Sequence, residues 1–259
     1  MEKGWRAAVL RIYLSGRMSI EGDGVLLGPD AFPGQQGRAA FAILVAERAP
    51  VARTSLAAAL WPGRPPRAWS AALNSIISKL RALFGDVGLD GGAVLVSGSG
   101  CYELRLPADT WVDHAVALDA IHEAEVALSA GDPARAYGPS AVAHHIGRRP
   151  FLPGQEGEWF DQRRDRLANI LVRALECRAE VYLWNGEHSL AVEAARDIVA
   201  LHPFRETGWQ LLMRAHAAAG NTAEALRTYD RCRRLIAEEL GVPPSPQTQT
   251  VHAELLASL

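Results

Sequence analysis

The first thirty residues alternate between short apolar runs and glycine-containing breaks, which predicts a small antiparallel sheet. Apolar runs occupy 9–14, 18–20 and 25–27, and they are separated by Ser15-Gly16 and by Gly22-Asp23-Gly24. Short breaks that contain glycine are typical of tight turns between neighbouring strands. We therefore expect three short strands before any helix begins.

Helical spacing of apolar residues follows this sheet and predicts three helices. The first covers 36–48, and the second covers 53–61 with Thr54 as its N-cap. The third covers 68–84 and follows a proline-rich connection. Beyond it, two alternating runs flank Gly98-Ser99-Gly100 and predict a β-hairpin with a small tip.

The third helix has two faces of different chemistry. At about 100° per residue, one arc is apolar and must be buried. Its members are Trp69, Leu73, Ile76, Ile77, Leu80, Leu83 and Phe84. The opposite arc carries Asn74, Ser75, Ser78, Lys79 and Arg81. No carboxylate occurs between Arg67 and Asp86, although solvated helix faces usually mix both charges. This face is either a plain solvated surface or a surface suited to the phosphate-lined grooves of DNA.

The remainder of the chain, from Trp111 onward, shows no strand pattern and predicts helices that repeat. Three segments share the spacing glycine, polar residue, three residues, alanine, and they begin at Gly131, Gly186 and Gly220. The last two glycines are 34 residues apart, which is the tetratricopeptide period. We therefore predict helix hairpins that turn at each glycine, with an insert that includes 147–160 between the first two copies.

Length and charge divide the chain into two predicted domains, residues 1–106 and residues 107–259. The chain has 259 residues, of which 49% are apolar, enough for two cores of ordinary size. The first domain carries a net charge of +4 and the second a net charge of −6. A basic domain joined to an acidic one is typical of a nucleic-acid reader with a protein-binding module, although such differences also arise between unrelated domains.

Membrane insertion, disulfide chemistry and catalysis find no support in the sequence. No run of about 18 apolar residues occurs and the N-terminus lacks the apolar core of a signal peptide, so we expect a cytoplasmic protein. Three widely spaced cysteines, Cys101, Cys177 and Cys232, predict reduced structural thiols. None of the common metal, nucleotide or hydrolase motifs occurs. We therefore predict neither a cofactor nor a metal, and a protein that is not an enzyme.

Strands, three helices and a hairpin occur in the order of a winged helix-turn-helix, whose third helix enters the major groove. The strings LAAALWPGRPPRAWSAALNSIISKLRALFG (56–85) and SGSGCYEL (97–104) resemble the OmpR-type winged helix of the SARP group, the Streptomyces antibiotic regulatory proteins. The strings TWVDHAVAL (110–118) and YDRCRRLIAEELGVPPSP (229–246) resemble the bacterial transcriptional activator domain that follows it in that group. The implied fold class is mainly α: a winged helix-turn-helix domain of α+β type, then an all-α tetratricopeptide-like helical-repeat domain.

The resemblance implies a sequence-specific transcription activator that binds direct repeats in double-stranded promoter DNA, forms a side-by-side homodimer on that DNA, and recruits RNA polymerase. The DNA-binding residues fall into three groups by the chemistry of their side chains. Base edges are assigned to Asn74, Ser75 and Ser78, phosphates to Lys79, Arg81, Arg53, Arg64 and Arg67, and backbone contact at the wing to Ser99. Some larger relatives carry an ATPase or a phosphopeptide-binding domain, and regulation by those routes is not expected from this chain.

Two departures from the family pattern bear on this assignment. Ala52 stands where the family usually has a serine that opens the second helix, which removes a cap of about 1 kcal/mol. Ala82 stands where the family often has a second arginine, which removes an expected phosphate contact. Because the basic surface is thin, an alternative stays open. It is a protein-binding helical-repeat adaptor, or a ligand-responsive regulator, with weak or lost DNA binding.

Overall fold

The computed structural model describes residues 9–47 and 49–257. Seven β-strands occur within those ranges: β1 (Arg11–Tyr13), β2 (Ser19–Gly22), β3 (Val25–Leu27), β4 (Val51–Ala52), β5 (Leu95–Gly98), β6 (Cys101–Leu104) and β7 (Trp111–Val112). Eleven α-helices occur there as well: α1 (Gly34–Glu47), α2 (Arg53–Leu60), α3 (Trp69–Asp86), α4 (Gly91–Val94), α5 (Asp113–Ser129), α6 (Pro133–Gly147), α7 (Glu158–Asn185), α8 (His188–Leu201), α9 (Glu206–Ala218), α10 (Thr222–Leu240) and α11 (Pro246–Ala257). This architecture confirms the predicted fold class.

Two compact units make up the chain. The N-terminal unit combines the residues up to Val116 with Arg149–Leu167, and the helical unit combines Ala117–Arg148 with the residues from Ala168 onward. The inserted segment 149–167 therefore belongs to the N-terminal unit. The predicted domain boundary between residues 106 and 107 would assign that segment to the second domain. This predicted boundary stays a prediction.

The first sheet of the N-terminal unit has the strand order β3-β2-β1-β7. Asp23 and Gly24 turn the chain between β2 and β3 with φ values of 47° and 76°, as the glycine-containing break predicts. Strand β7 shows that the prediction of no strand from Trp111 onward was wrong. It is too short to display alternation, and it forms because Trp111 and Val112 pair in parallel with β1 near the start of the chain.

The first three helices of the N-terminal unit pack their apolar faces together. The ring of Phe41 in α1 lies 5.0 Å from that of Phe32 and 5.8 Å from that of Phe84 in α3, measured between centroids. Aromatic contacts therefore join α1 to α3. Helix α1 begins at Gly34, earlier than predicted, and its predicted end, Arg48, lies outside the described residues.

The second helix begins without the predicted cap. Its N-cap is Ala52, with φ −61°, ψ 139° and no side-chain hydrogen bond, so the prediction of Thr54 as the cap was wrong. The reason is that Ala52 is still extended, because β4 pairs it with Cys101 of β6, and the helix starts at the next residue. An alanine offers no oxygen to the amides of the first turn.

A second sheet, with the order β4-β6-β5, forms the wing of the N-terminal unit. Strands β5 and β6 form the predicted hairpin, which closes through Ser99 and Gly100 with φ values of 50° and 74°. Positive φ at both central residues is typical of a type I′ turn. Strand β4 and the single turn α4 were not predicted, and β4 supports one edge of the hairpin.

The inserted segment 149–167 pairs with the connection between β1 and β2 and bonds to the start of α1. Ser15 forms an isolated antiparallel bridge with Phe151, and the Nε2 of Gln35 donates to the carbonyl oxygen of Gly154 at 2.7 Å. Pairing of this kind fills backbone hydrogen bonds that a loop would otherwise leave open. These contacts explain why the segment 149–167, which interrupts the helical repeats in the sequence, belongs to the N-terminal unit.

Glu47 at the end of α1 holds the first turns of α7. Its carboxylate accepts hydrogen bonds from the Nε1 of Trp159 at 2.6 Å and from the Nη2 of Arg163 at 2.8 Å. Burial raises the pKa of Glu47, but the bonds from Trp159 and Arg163 outweigh it and the net pKa is lowered. The carboxylate is therefore charged at neutral pH.

The helical unit consists of helix hairpins that turn at the predicted glycines. Gly131, Gly186 and Gly220 have φ values of 74°, 75° and 75°, which glycine adopts without a steric penalty. The alanine five residues after each glycine is fully buried: Ala136, Ala191 and Ala225. Small side chains at these positions let neighbouring helices approach closely. The predicted repeat is confirmed.

The three thiols are free, and two of them are buried. Burial raises the pKa of Cys177 and of Cys232 to about 12, whereas Cys101 is half-buried in β6. The prediction of structural cysteines is confirmed for Cys177 and Cys232, which are buried, and the reduced state stays a prediction. Within the described ranges, no helix combines the length and the apolar character needed to cross a membrane.

Candidate nucleic-acid interface

Helix α3 separates its residues into a buried and an exposed face, as the sequence predicts. Five members of the apolar arc are buried, and Trp69 and Ile76 are half-buried. The buried members are Leu73, Ile77, Leu80, Leu83 and Phe84. On the other face, the exposed residues are Asn74, Ser75, Ser78 and Lys79. Residues at these spacings lie on one side of a helix, so the four side chains form one continuous polar surface.

Arg81 lies at the edge of this surface and is bonded to the wing. Its Nε donates to the carbonyl oxygen of Leu95 at 2.9 Å, and its Nη2 donates to the Oγ of Ser97 at 2.7 Å. A guanidinium has five N–H donors, so three remain after these two bonds. The structure therefore gives Arg81 a structural role between α3 and β5, and its phosphate contact stays a prediction.

Arg53 at the start of α2 reaches α3 and orders two of its side chains. Its Nη2 lies 2.9 Å from the Oγ of Ser70 and 2.9 Å from the Oδ1 of Asn74. The hydroxyl of Tyr102 in β6 donates to the same Oδ1 at 3.0 Å, and the guanidinium lies 5.5 Å from the Tyr102 ring centroid. These contacts join α2, α3 and the wing at the polar surface of α3.

Three of the side chains predicted to bind phosphates are exposed and form no ion pair among the described residues. Lys79, Arg64 and Arg67 are exposed, and none of them forms an ion pair within residues 9–47 and 49–257. Residues 49–85 contain no carboxylate at all. Their positive charge is therefore not neutralised by neighbours along this stretch.

The tip of the wing is small and polar. Ser99 is exposed, and its left-handed backbone is set by the hairpin turn. The nearest charged residues along the hairpin are Glu103 and Arg105, which form an exposed ion pair at 2.7 Å. A hydrogen bond from Arg105 lowers the pKa of Glu103. Glu103 is therefore a paired anion rather than a free negative charge beside the wing.

A second polar cluster, formed by Ser15, Asp113 and His114, is structural. The carboxylate of Asp113 is fully buried and accepts hydrogen bonds from the backbone amides of Leu14 at 3.0 Å and Ser15 at 2.8 Å. The Oγ of Ser15 lies 2.6 Å from the Nε2 of His114, whose pKa is lowered by burial. Because Asp113 bonds to backbone amides rather than to the imidazole, the cluster lacks the relay of a hydrolase triad.

Sequence reasoning missed Ser70 as a member of this surface and Tyr102 as a buried hydrogen-bond partner of Asn74. Ser70 lies one helical turn before Asn74, so its position on this face was readable from the spacing. The alternation of β6 predicts an inward Tyr102 but not which side chain its hydroxyl meets. In the part of the chain that the structure describes, no group of three or more His, Cys, Asp or Glu side chains is arranged to hold a metal ion.

Comparison with known proteins gives a family and a fold. Residues 112–256 match the family described as Bacterial transcriptional activator domain. The chain is 37% identical over 222 residues to the regulatory protein AfsR of Streptomyces coelicolor, a match that covers 86% of this chain and 22% of AfsR. It is 29% identical over 247 residues to the transcriptional regulatory protein EmbR of Mycobacterium tuberculosis, covering 93% of this chain and 61% of EmbR.

A solved structure supports the same relationship. Mycobacterium tuberculosis EmbR in complex with a low-affinity phosphopeptide is similar with a TM-score of 0.86 at 27% identity, covering 96% of this chain and 65% of that one. The chain spans less than two thirds of the length of these relatives. The domain match covers more than half of the chain, and the relatives are regulatory proteins. The chain therefore belongs to the family of transcriptional regulators that carry a bacterial transcriptional activator domain, of the SARP type.

Proposed function

We propose that this chain is a sequence-specific DNA-binding transcription activator whose helix α3 enters the major groove. The observation that carries the proposal is the exposed face of α3, where Asn74, Ser75, Ser78 and Lys79 lie together in a stretch without carboxylates. The major groove admits an α-helix, and small hydrogen-bonding side chains beside cations suit base edges flanked by phosphates. Asn74, Ser75 and Ser78 then contact base edges.

Phosphate contacts are proposed for the cations around this face. Lys79, Arg64 and Arg67 are exposed and are the most available. Arg53 and Arg81 each keep N–H donors beyond those they use within the protein. Ser99 at the tip of the wing supplies a contact to the neighbouring DNA backbone.

Binding as a homodimer to promoter direct repeats follows from the magnitude of these contacts. Five or so phosphate contacts support non-specific dissociation constants of only about 10⁻⁴ to 10⁻⁶ M at physiological salt. One helix adds a few base contacts that discriminate by about 1–3 kcal/mol each. A second protomer on an adjacent half-site raises the effective concentration of each reading helix, so occupancy requires paired sites.

The acidic helical unit is the proposed contact for RNA polymerase. The helical unit, residues 117–148 and 168–259, carries a net charge of −4, and helical repeats present extended surfaces that bind other proteins. Net negative charge disfavours contact with DNA, because the phosphates repel it. In this proposal the N-terminal unit selects the promoter and the helical unit recruits the polymerase.

Binding of the full chain to DNA at several salt concentrations tests the proposal. Preferred sites are first enriched from a pool of duplexes that contain a random 30-bp segment. The variant Arg67→Ala with Lys79→Ala is expected to lower the slope of log affinity against log salt by about 2, one for each lost phosphate contact. The control, Arg11→Ala with Arg17→Ala, removes equal charge from the first sheet region and is expected to leave the slope unchanged.

The two other parts of the proposal have separate outcomes. A single half-site that is bound as tightly as a direct repeat contradicts the homodimer. Failure of transcription in vitro to respond to the chain on a promoter that it occupies contradicts polymerase recruitment. Equal slopes for the test and control variants contradict the assignment of α3 to DNA.

The alternative is a protein-binding or ligand-responsive adaptor with weak DNA binding. One observation favours it. Arg53 and Arg81 donate some of their N–H groups to Asn74, Ser97 and other protein atoms, so fewer N–H groups remain free to bind phosphates. The same enrichment experiment separates the two functions. A chain that enriches no sequence and binds DNA with no salt dependence is the adaptor.

A further inference from the structure

We infer that Asn74 reads DNA only as a hydrogen-bond donor, through its amide nitrogen, and so selects a base that presents an acceptor in the major groove. This inference rests on the proposed function, because it concerns which base α3 recognises once it lies in the groove. It follows from three side chains that meet at one oxygen atom: Arg53, Asn74 and Tyr102.

The orientation of the Asn74 amide is determined by the chemistry of Arg53. The Nη2 of Arg53 lies 2.9 Å from the Asn74 side chain. A guanidinium only donates hydrogen bonds, so the atom that faces it must be the carbonyl oxygen Oδ1 and not the amide nitrogen Nδ2. The orientation of the Asn74 amide therefore follows from its hydrogen-bond partner, although oxygen and nitrogen are nearly identical in size.

The carbonyl oxygen of Asn74 has no capacity left for DNA. An amide oxygen has two lone pairs, and Arg53 and Tyr102 approach it at 2.9 Å and 3.0 Å. The amide nitrogen is different, because no acceptor for Nδ2 occurs among the described residues and the side chain is exposed. Asn74 thus presents two N–H donors and no acceptor on the outer face of α3.

The network can persist when DNA is bound. The two hydrogens on the Nη2 of Arg53 serve Ser70 and Asn74, which leaves Nη1 and Nε. Arg53 can therefore contact a phosphate through those atoms without releasing Asn74. Tyr102 is only 2% exposed, so the packed wing holds its hydroxyl in place.

A donor-only asparagine reads a different base from a free one. Asparagine usually binds adenine with both amide atoms, donating to N7 and accepting from N6. With Oδ1 filled, the second of these bonds is lost. Guanine fits best because its N7 and O6 both accept, and cytosine fits worst because its N4 only donates.

Replacing Asn74 by aspartate tests this inference with little change of shape. Asn74→Asp keeps an oxygen for Arg53 and Tyr102 but puts an acceptor where the N–H donors were. Base preferences are measured with the full chain on the random 30-bp duplex pool. The wild type is expected to enrich guanine at one position of each half-site, and the variant to enrich cytosine there. Relative to a variant that adds the same charge elsewhere on this face, its affinity for the guanine site should fall about threefold to tenfold, the effect of one net hydrogen bond.

Two further variants separate the donor from other effects. Ala82→Asp adds the same charge to the exposed face of α3 at a position that contacts no base in the proposal, so it should weaken binding to all duplexes and leave the guanine preference intact. Tyr102→Phe removes one of the two donors to Oδ1. It should make adenine acceptable at that position while the other positions keep their bases.

The outcomes distinguish this inference from the proposed function. An Asn74→Asp variant that keeps the guanine preference, or a wild type whose Asn74-dependent position is adenine, overturns the inference alone. A wild type that enriches no sequence from the pool overturns the proposed function and this inference with it.

Discussion

The Nη2 of Arg81 on α3 donates to the Oγ of Ser97 on β5 at 2.7 Å. The side chain that the sequence analysis predicts to contact a phosphate therefore also joins the helix to the wing. A bond from its Nε to the carbonyl oxygen of Leu95 at 2.9 Å strengthens the connection. Removal of Arg81 therefore changes both the charge of the surface and the support of the wing. Stability has to be measured beside DNA affinity to separate these two effects.

Arg81→Ala is expected to lower the free energy of unfolding by about 1–2 kcal/mol, because two hydrogen bonds from a half-buried donor are lost. Lys79→Ala, the matched control two residues earlier on the exposed face, should change it by less than about 0.5 kcal/mol. Urea unfolding followed by circular dichroism measures both. Equal stability of the two variants would show that the bonds from Arg81 to β5 contribute nothing in solution.

Ala52→Ser is expected to stabilise the N-terminal unit by about 1 kcal/mol, because the new hydroxyl accepts from an amide in the first turn of α2. The extended backbone at Ala52, with φ −61° and ψ 139°, already suits an N-cap serine. Ala58→Ser places the same residue on an exposed position inside α2 and should be neutral or slightly destabilising. A midpoint of urea unfolding that rises equally in both variants would contradict the capping account.

Gly91→Ala is expected to destabilise the N-terminal unit by about 1–3 kcal/mol, the usual cost of overpacking. A Cβ at Gly91 would lie 2.0 Å from the carbonyl oxygen of Arg81, so backbone atoms of α3 or α4 would have to move. Gly85→Ala is the matched control: its Cβ meets nothing within 4 Å, and alanine favours the helix by up to about 1 kcal/mol. If Gly91→Ala is as stable as the control, Gly91 does not lie against the backbone of α3 at Arg81.

The cysteines are expected to differ in reactivity toward a thiol-alkylating reagent. At pH 8, a pKa of about 12 leaves roughly 10⁻⁴ of the Cys177 and Cys232 thiols ionised, and both are buried. Cys101 is half-buried and should react first. Mass spectrometry of the native chain should show one fast adduct, and three in urea. Cys101→Ser should abolish the fast adduct, and a fast reaction that survives in it would contradict the burial of the other two.

The same thiols give stability a defined dependence on alkaline pH. Both pKa values are raised from an ordinary value of 9.0 to about 12, so folding favours the neutral thiol. The stabilisation is fully present below pH 9 and declines as the pH rises from 9 toward 12, because the unfolded chain ionises first. Cys177→Ala should make the decline of unfolding free energy across that range shallower. An unchanged slope would contradict the raised pKa of Cys177.

Local periodicity determined much of this protein from the sequence alone. The two faces of α3 follow from the 3.6-residue period, because a helix must bury its apolar arc whatever it packs against. The hairpin turns at Gly131, Gly186 and Gly220 follow from the left-handed backbone that glycine permits. The wing turn was readable from Gly100 for the same reason.

Tertiary structure alone decided which long-range partners these elements found. Strand β7 and the place of 149–167 in the N-terminal unit depend on pairing with residues near the start of the chain, which leaves no periodic trace in one or two residues. The bonds from Arg53 to Asn74 and from Arg81 to Ser97 depend on distances between separate elements. Sequence spacing puts a polar side chain on a face, but only the packed fold decides which of its donors and acceptors remain free for a partner.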